Sequence, residues 1–154
     1  MKAIAAFFMF GALLLGAFAA PSLAGAQPPE TETIHETFTD VEVDTICGEA
    51  VSIDVEGQSV FHITEFDDGR VYVTGTSVGR FSFELASGEV VTGRFTTWFG
   101  ENATSLDNFN ATFTFNATGR GDEGTHAMLK EVAHITYVDG EVVVEFDNLS
   151  STCK

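Results

Sequence analysis

The chain has 154 residues, with 23 acidic side chains against seven Lys and Arg, and its formal net charge is −16. Such a charge disfavours binding to nucleic acid or to anionic membrane surfaces, because both repel a strongly negative protein. It does not indicate disorder, since the chain after residue 26 contains 11 Phe and many Val and Ile that supply the apolar surface for one core, and the length suits a single domain.

The first 26 residues have the parts of a cleavable secretory signal peptide. Lys2 supplies the positive charge, an apolar stretch rich in Phe and Leu follows, and Ala24-Gly25-Ala26 provides the small residues of a cleavage site. Ala17-Phe18-Ala19 is an earlier alternative site. Because position 26 is Ala and not Cys, no lipid attachment is implied. We therefore predict a secreted, extracellular protein that has no stable membrane insertion after cleavage of the signal.

The rest of the chain predicts a flexible linker over residues 27–32 and a single β-domain over residues 33–154. Apolar and polar residues alternate with period two through most of this domain, as in half-buried strands. The predicted strands comprise a first strand from Thr33 onward and the segments 51–56, 59–66, 71–74, 81–85, 91–99, 109–118, 125–138 and 141–146. Residues 127–133 also fit a helix. The prediction is an all-β fold, an antiparallel barrel of eight or nine strands, with a two-sheet β-sandwich as the alternative.

The two cysteines, Cys47 and Cys153, lie near opposite ends of the predicted domain. In an exported protein such a pair predicts a disulfide bond. This bond requires the chain after the first strand to lie beside the C-terminus. That arrangement favours a closed barrel, in which the first and last strands are neighbours.

One residue stands out from the alternation in the segment 125–138. Glu131 falls on the same face as the apolar residues Leu129 and Ala133, and a carboxylate on that face is costly to bury without a partner. An inward Glu131 predicts an ion pair with Arg80, Arg94 or a histidine, or a group that anchors a ligand, whereas a local bulge would turn it outward. Together with inward phenylalanines it forms the candidate ligand-binding set, which comprises Glu131, Phe95, Phe113 and Phe115.

Enzymatic chemistry has no signature in the sequence. Motifs of nucleophilic hydrolases, zinc proteases, phosphate-binding loops and thiol redox proteins are absent from it, so we predict no catalytic residues, no metal site and no cofactor. The remaining support for an enzyme is a set of four histidines, which are His35, His62, His126 and His134.

Two functions follow from these observations. The first is a binding module for a small apolar molecule held inside the β-barrel, because inward phenylalanines suit an apolar cavity as well as a packed core. The alternative is a structural or surface-interaction protein with a solid core, which acts through exposed acidic loops at residues 100–107 and 119–124. The oligomeric state does not follow from the sequence.

The pattern from Asn110-Ala-Thr-Phe-Thr-Phe-Asn-Ala-Thr-Gly through His134 and Val138-Asp-Gly-Glu to Cys153 resembles small exported bacterial proteins of uncharacterised function. In architecture the chain also resembles lipocalin and allene-oxide-cyclase barrels. The G-x-W signature of lipocalins near the first strand is missing, since the sole tryptophan, Trp98, lies late in the chain. The second resemblance implies a small antiparallel barrel, and ligand binding follows from it by analogy.

Overall fold

A computed structural model describes residues 29–105 and 107–154 of the protein. The predicted signal peptide lies outside the described residues. The described part forms seven strands, which are β1 (Glu30–Ile46), β2 (Glu49–Glu65), β3 (Val71–Glu84), β4 (Val90–Ser105), β5 (Asn108–Gly121), β6 (His126–Val138) and β7 (Glu141–Cys153). Strand β1 begins inside the segment predicted as a linker. The alternative of a helix over residues 127–133 is wrong, because β6 covers them.

The seven strands form one antiparallel sheet in the order β1 to β7, so that every strand pairs with its neighbours in sequence. The all-β prediction is confirmed, whereas the strands form one sheet and not the two of a sandwich. Among the described residues no ladder joins β1 to β7, and closure into a barrel is therefore not confirmed. Because the strand number is odd, β1 and β7 run in the same direction, and a ladder between them would have to be parallel.

The prediction of eight or nine strands is wrong, because two predicted interruptions lie inside continuous strands. Strand β2 runs through the predicted turn at Gly57, and β3 runs through the predicted break around Gly79. Each glycine leaves room for a ring from the directly opposite position of the neighbouring strand, where Phe38 covers Gly57 and Phe95 covers Gly79. Glycine at these positions therefore marks a cross-strand aromatic contact and not a turn.

The same pairing recurs on neighbouring ladders of the sheet. The ring of Phe61 covers Gly75, and the ring of Phe81 covers Gly93, again from directly opposite positions. Since a glycine has no β-carbon, each ring can lie close to the backbone of the next strand. These contacts let the sheet bend with its phenylalanines on the inside.

The curvature brings distant strands together. The rings of Phe38 on β1 and Phe95 on β4 have centroids 6.2 Å apart, whereas three strand spacings in a flat sheet amount to about 14 Å. The predicted disulfide between Cys47 and Cys153 is confirmed, with Cα atoms 5.5 Å apart. It joins the β1–β2 turn to the end of β7, that is, one edge of the sheet to the other. We call the face that carries Phe95 the concave face and the opposite one the outer face.

The core lies on the concave face beside the disulfide. One cluster of its buried members comprises Val51, Phe83, Val91 and Ala127, from strands β2, β3, β4 and β6. Cys47 packs against this cluster, so the disulfide and the apolar core close the same end of the sheet. The part of the chain that the structure describes contains no helix that could span a membrane.

The acidic loops are shorter than predicted. Strand β4 extends to Ser105, so most of the predicted loop 100–107 is strand. Likewise β5 extends to Gly121, which reduces the predicted loop 119–124 to a tight turn. Little loop is therefore left at either place for binding a partner.

Candidate functional site: an apolar cavity with a carboxylate wall

The concave face carries a partly open cavity of about 110 Å³. Side chains from all seven strands line it, so it exists only because the sheet curls. Most of its wall is apolar. The acidic lining residues are Glu42, Asp44 and Glu131, and the lining contains no Lys, Arg or His.

The structure brings together all four residues of the candidate set. Phe95, Phe113, Phe115 and Glu131 all line this one cavity. Phe95 and Phe115 stack with their centroids 5.9 Å apart, and Phe115 lies directly opposite Glu131 in the β5–β6 ladder. Strict alternation along three adjacent strands therefore converges on one place.

Glu131 points inward, because the β5–β6 ladder continues past it without a bulge. The residue is 5% exposed. Burial raises the pKa of its carboxyl above the ordinary value, and the negative charges of Asp147 and Asp44 raise it further. Asp44 lies on β1 and Asp147 on β7, so the curled sheet gathers carboxylates from both edges around Glu131.

The expected ion pair of Glu131 with an arginine does not form. Arg80 and Arg94 are exposed and line a hollow of about 1380 Å³ together with Arg120, and alternation places them on the outer face. In the described ranges the one salt bridge within 4.0 Å joins Arg70 to Asp68. The ion pair does not form because alternation along β3 and β4 places both arginines on the face opposite to that of Phe95.

Sequence reasoning missed the acidic residues that β1 contributes to the cavity. Val41 and Val43 alternate with acidic residues, a pattern that by itself would direct the valines inward. The structure has the reverse arrangement, with Glu42 and Asp44 at the cavity and Val43 76% exposed. Phe38 packs on the concave face, and alternation along β1 places Glu42 and Asp44 on the same face as Phe38. The available signal was that natural edge strands often carry inward-pointing charges, which prevent pairing with other chains.

Glu42 shares the environment of Glu131. Burial raises the pKa of its carboxyl, and the charges of Asp40 and Asp44 raise it further. The negative charge of Asp44 contributes to the raised pKa of both Glu42 and Glu131, so these carboxylates of the cavity wall repel one another.

The histidines do not converge on a site. His62 on β2 is within hydrogen-bond distance of Thr33, at 3.0 Å, and His134 on β6 lies 2.8 Å from Thr112. Alternation places all four histidines on the outer face. Among residues 29–105 and 107–154, no group of three His, Cys, Asp or Glu side chains has the geometry to hold a metal ion. The histidine arrangement that would support an enzyme is therefore not formed.

A second buried carboxylate, Glu89, has a structural role that sequence reasoning missed. It accepts hydrogen bonds from the backbone N–H groups of Glu123, at 3.1 Å, and Thr125, at 2.9 Å, and from the Thr125 hydroxyl, at 2.6 Å. These bonds lower the pKa of Glu89, and the bond from the Thr125 hydroxyl has the largest effect. Glu89 thus anchors the β5–β6 turn, with Gly121 leaving room for its carboxylate.

Scanning the chain against family models, curated proteins and solved structures found no match.

Proposed function

We propose that the protein is a secreted binding module that holds a small apolar molecule in the cavity of its curled β-sheet. The observation that carries this proposal is the convergence of Phe95, Phe113, Phe115 and Glu131 on one cavity. A wall of aromatic rings with few polar groups is typical of small-molecule sites. Closure of the sheet into a barrel around the ligand, as in the lipocalin-type architecture it resembles, belongs to the same proposal.

The size of the cavity limits the ligand. Its volume is about 110 Å³, below the range of about 300–1,000 Å³ that is common for drug-sized ligands. An apolar cavity of about 150 Å³ in another protein takes up benzene. The proposed ligand is therefore small, with a buried part no larger than one aromatic ring.

Export supports the same function. The predicted signal peptide and the disulfide between Cys47 and Cys153 both fit an extracellular protein. A disulfide that connects the two edges of the sheet also keeps the cavity wall together outside the cell. The proposed role is therefore capture of a small molecule in the extracellular medium.

Ethylbenzene is a suitable neutral probe for this proposal. An NMR titration of the disulfide-intact protein should shift the signals of cavity residues such as Ala117 and Leu129 and saturate. Leu129→Phe fills the cavity and should abolish these shifts, whereas Val132→Phe, on the outer face of the same strand, should leave them unchanged. Absence of saturable shifts in the cavity of the unmodified protein would overturn the proposal.

A further inference from the structure

Glu131 is a buried residue whose carboxylate has no positive partner. Its oxygens keep some exposure, since no fully buried side-chain oxygen or nitrogen of the described residues lacks a hydrogen-bond partner. The residue is 5% exposed, and within the described part of the chain it forms neither a salt bridge nor a hydrogen bond. Buried carboxylates are normally paired, because transfer of an isolated charge out of water is expensive. Its side chain faces the cavity, so any compensating group must enter from there.

The charges around Glu131 increase this requirement. Glu42 and Asp44 line the same cavity, and Asp147 acts on Glu131 from β7. Since the cavity lining contains no Lys, Arg or His, the electrostatic potential inside is negative. A neutral apolar ligand would leave this potential uncompensated, whereas a cation would be attracted.

The geometry disfavours a metal ion as this cation. Calcium takes six to eight oxygen ligands and needs them to converge on one point. In residues 29–105 and 107–154 no three acidic, histidine or cysteine side chains converge in this way. Phenylalanine rings line the same cavity as the carboxylates, and the faces of such rings attract organic cations.

We propose that the ligand is a small organic ammonium ion, whose apolar part lies against Phe95 and Phe115 and whose amine binds the carboxylate of Glu131. This inference rests on the proposed function and names the chemical class of its ligand. The amine supplies the positive charge and hydrogen-bond donors that Glu131 lacks, and the rings supply the apolar contact. The charge of Asp44, which lines the same cavity, increases the preference for a cation.

Benzylamine and ethylbenzene form a matched pair of probes, because they have nearly the same shape and differ in the charged amine. Titration of the disulfide-intact protein at pH 7, followed by NMR, should give benzylamine an affinity at least about 10-fold higher than that of ethylbenzene. Glu131→Gln should remove this preference, because the affinity for benzylamine falls to about that for ethylbenzene. Glu65→Gln, which removes the same charge from an exposed position on β2, should leave the preference unchanged.

Each other outcome has a definite consequence. Equal affinities of the two probes for the unmodified protein would overturn the ammonium assignment and leave the proposed function standing. Binding of neither probe would overturn both. Displacement of benzylamine by Ca²⁺ at equimolar concentration would assign the carboxylates to a metal and overturn the inference. If Glu131→Gln does not fold, Asp44→Asn serves in its place, because it removes another charge from the cavity wall and should weaken the preference for benzylamine. An unchanged preference in Asp44→Asn would contradict the proposed negative potential of the cavity.

Discussion

Glu131 and Phe115 lie directly opposite each other in the β5–β6 ladder, and both side chains line the interior cavity. A carboxylate facing a phenylalanine in this position does not stabilise the fold by itself, because burial of a charge costs free energy. In the proposed function, a bound ligand compensates this cost.

Replacing Glu131 should stabilise the empty protein at neutral pH. Its pKa is raised above 4.5 in the folded state, so the native protein holds a proton that the unfolded chain releases. The contribution of Glu131 to stability is therefore greatest below about pH 4.5, and it is lost as the pH rises through the raised pKa. Glu131→Gln should raise the free energy of unfolding more at pH 7 than at pH 4, and the difference, measured by urea unfolding, should be on the order of 1 kcal/mol.

Glu65→Gln is the control for this prediction, because it changes the net charge equally at an exposed site. The pKa values of Glu42 and Glu101 are also raised, so these residues change stability with pH in the same direction as Glu131. The effect of Glu131 is therefore obtained by comparing the variants with the unmodified protein. A Glu131→Gln variant that is less stable than the unmodified protein at pH 7 would show that the carboxylate has a stabilising partner.

The cost of replacing a glycine under an aromatic ring by alanine should depend on whether the new β-carbon meets the ring alone or backbone atoms as well. A β-carbon at Gly93 would meet both the ring of Phe81 and the carbonyl oxygen of Thr118, and the backbone cannot move away easily. At Gly75 the nearest atoms all belong to the ring of Phe61, which can rotate. We expect Gly93→Ala to cost about 2–3 kcal/mol in urea unfolding and Gly75→Ala clearly less. The reverse order would contradict the account of how the sheet curls.

Reduction of the disulfide should destabilise the sheet. Cys47 and Cys153 are 106 residues apart in sequence, and the loop-entropy relation gives about 4–5 kcal/mol for a closed loop of this length. The urea midpoint should fall after addition of dithiothreitol. The double variant Cys47→Ser with Cys153→Ser should unfold at the lower midpoint whether or not the reductant is present. An unchanged midpoint on reduction would mean that the edges stay together without the bond.

Glu89 should affect stability with the opposite pH dependence to Glu131. Its pKa is lowered by the hydrogen bonds of the β5–β6 turn, so its contribution is present at neutral pH and is lost as the pH falls through the lowered pKa. In Glu89→Gln the amide hydrogen of Thr125 should exchange about 10-fold faster at neutral pH. Glu84→Gln, at the exposed end of β3, is the control. Equal exchange in all three proteins would show that the turn is held by other contacts.

Much of the site follows from period-two alternation. It placed Phe95, Phe113, Phe115 and Glu131 on one face, and the structure brings them to one cavity. This succeeds because central strands are paired on both sides, which leaves their side chains no freedom to change face. The disulfide was likewise predictable, since the described chain has one possible cysteine pair.

The failures have two physical causes. Gly57 and Gly79 suggest chain breaks, but each is covered by a ring from the next strand, and this contact depends on a register that local sequence does not contain. On β1, Glu42 and Asp44 face the interior because an edge strand is open to water on one side, which lowers the cost of an inward charge. Alternation therefore determines the faces of central strands more reliably than those of edges.

Crystals of the disulfide-intact protein soaked with ethylbenzene provide the most direct test of the central claim. The account predicts electron density for the ring between Phe95, Phe115 and Glu131, with the backbone of the sheet unchanged. A cavity filled by the protein's own side chains, with no density for ethylbenzene at a saturating concentration, would contradict it.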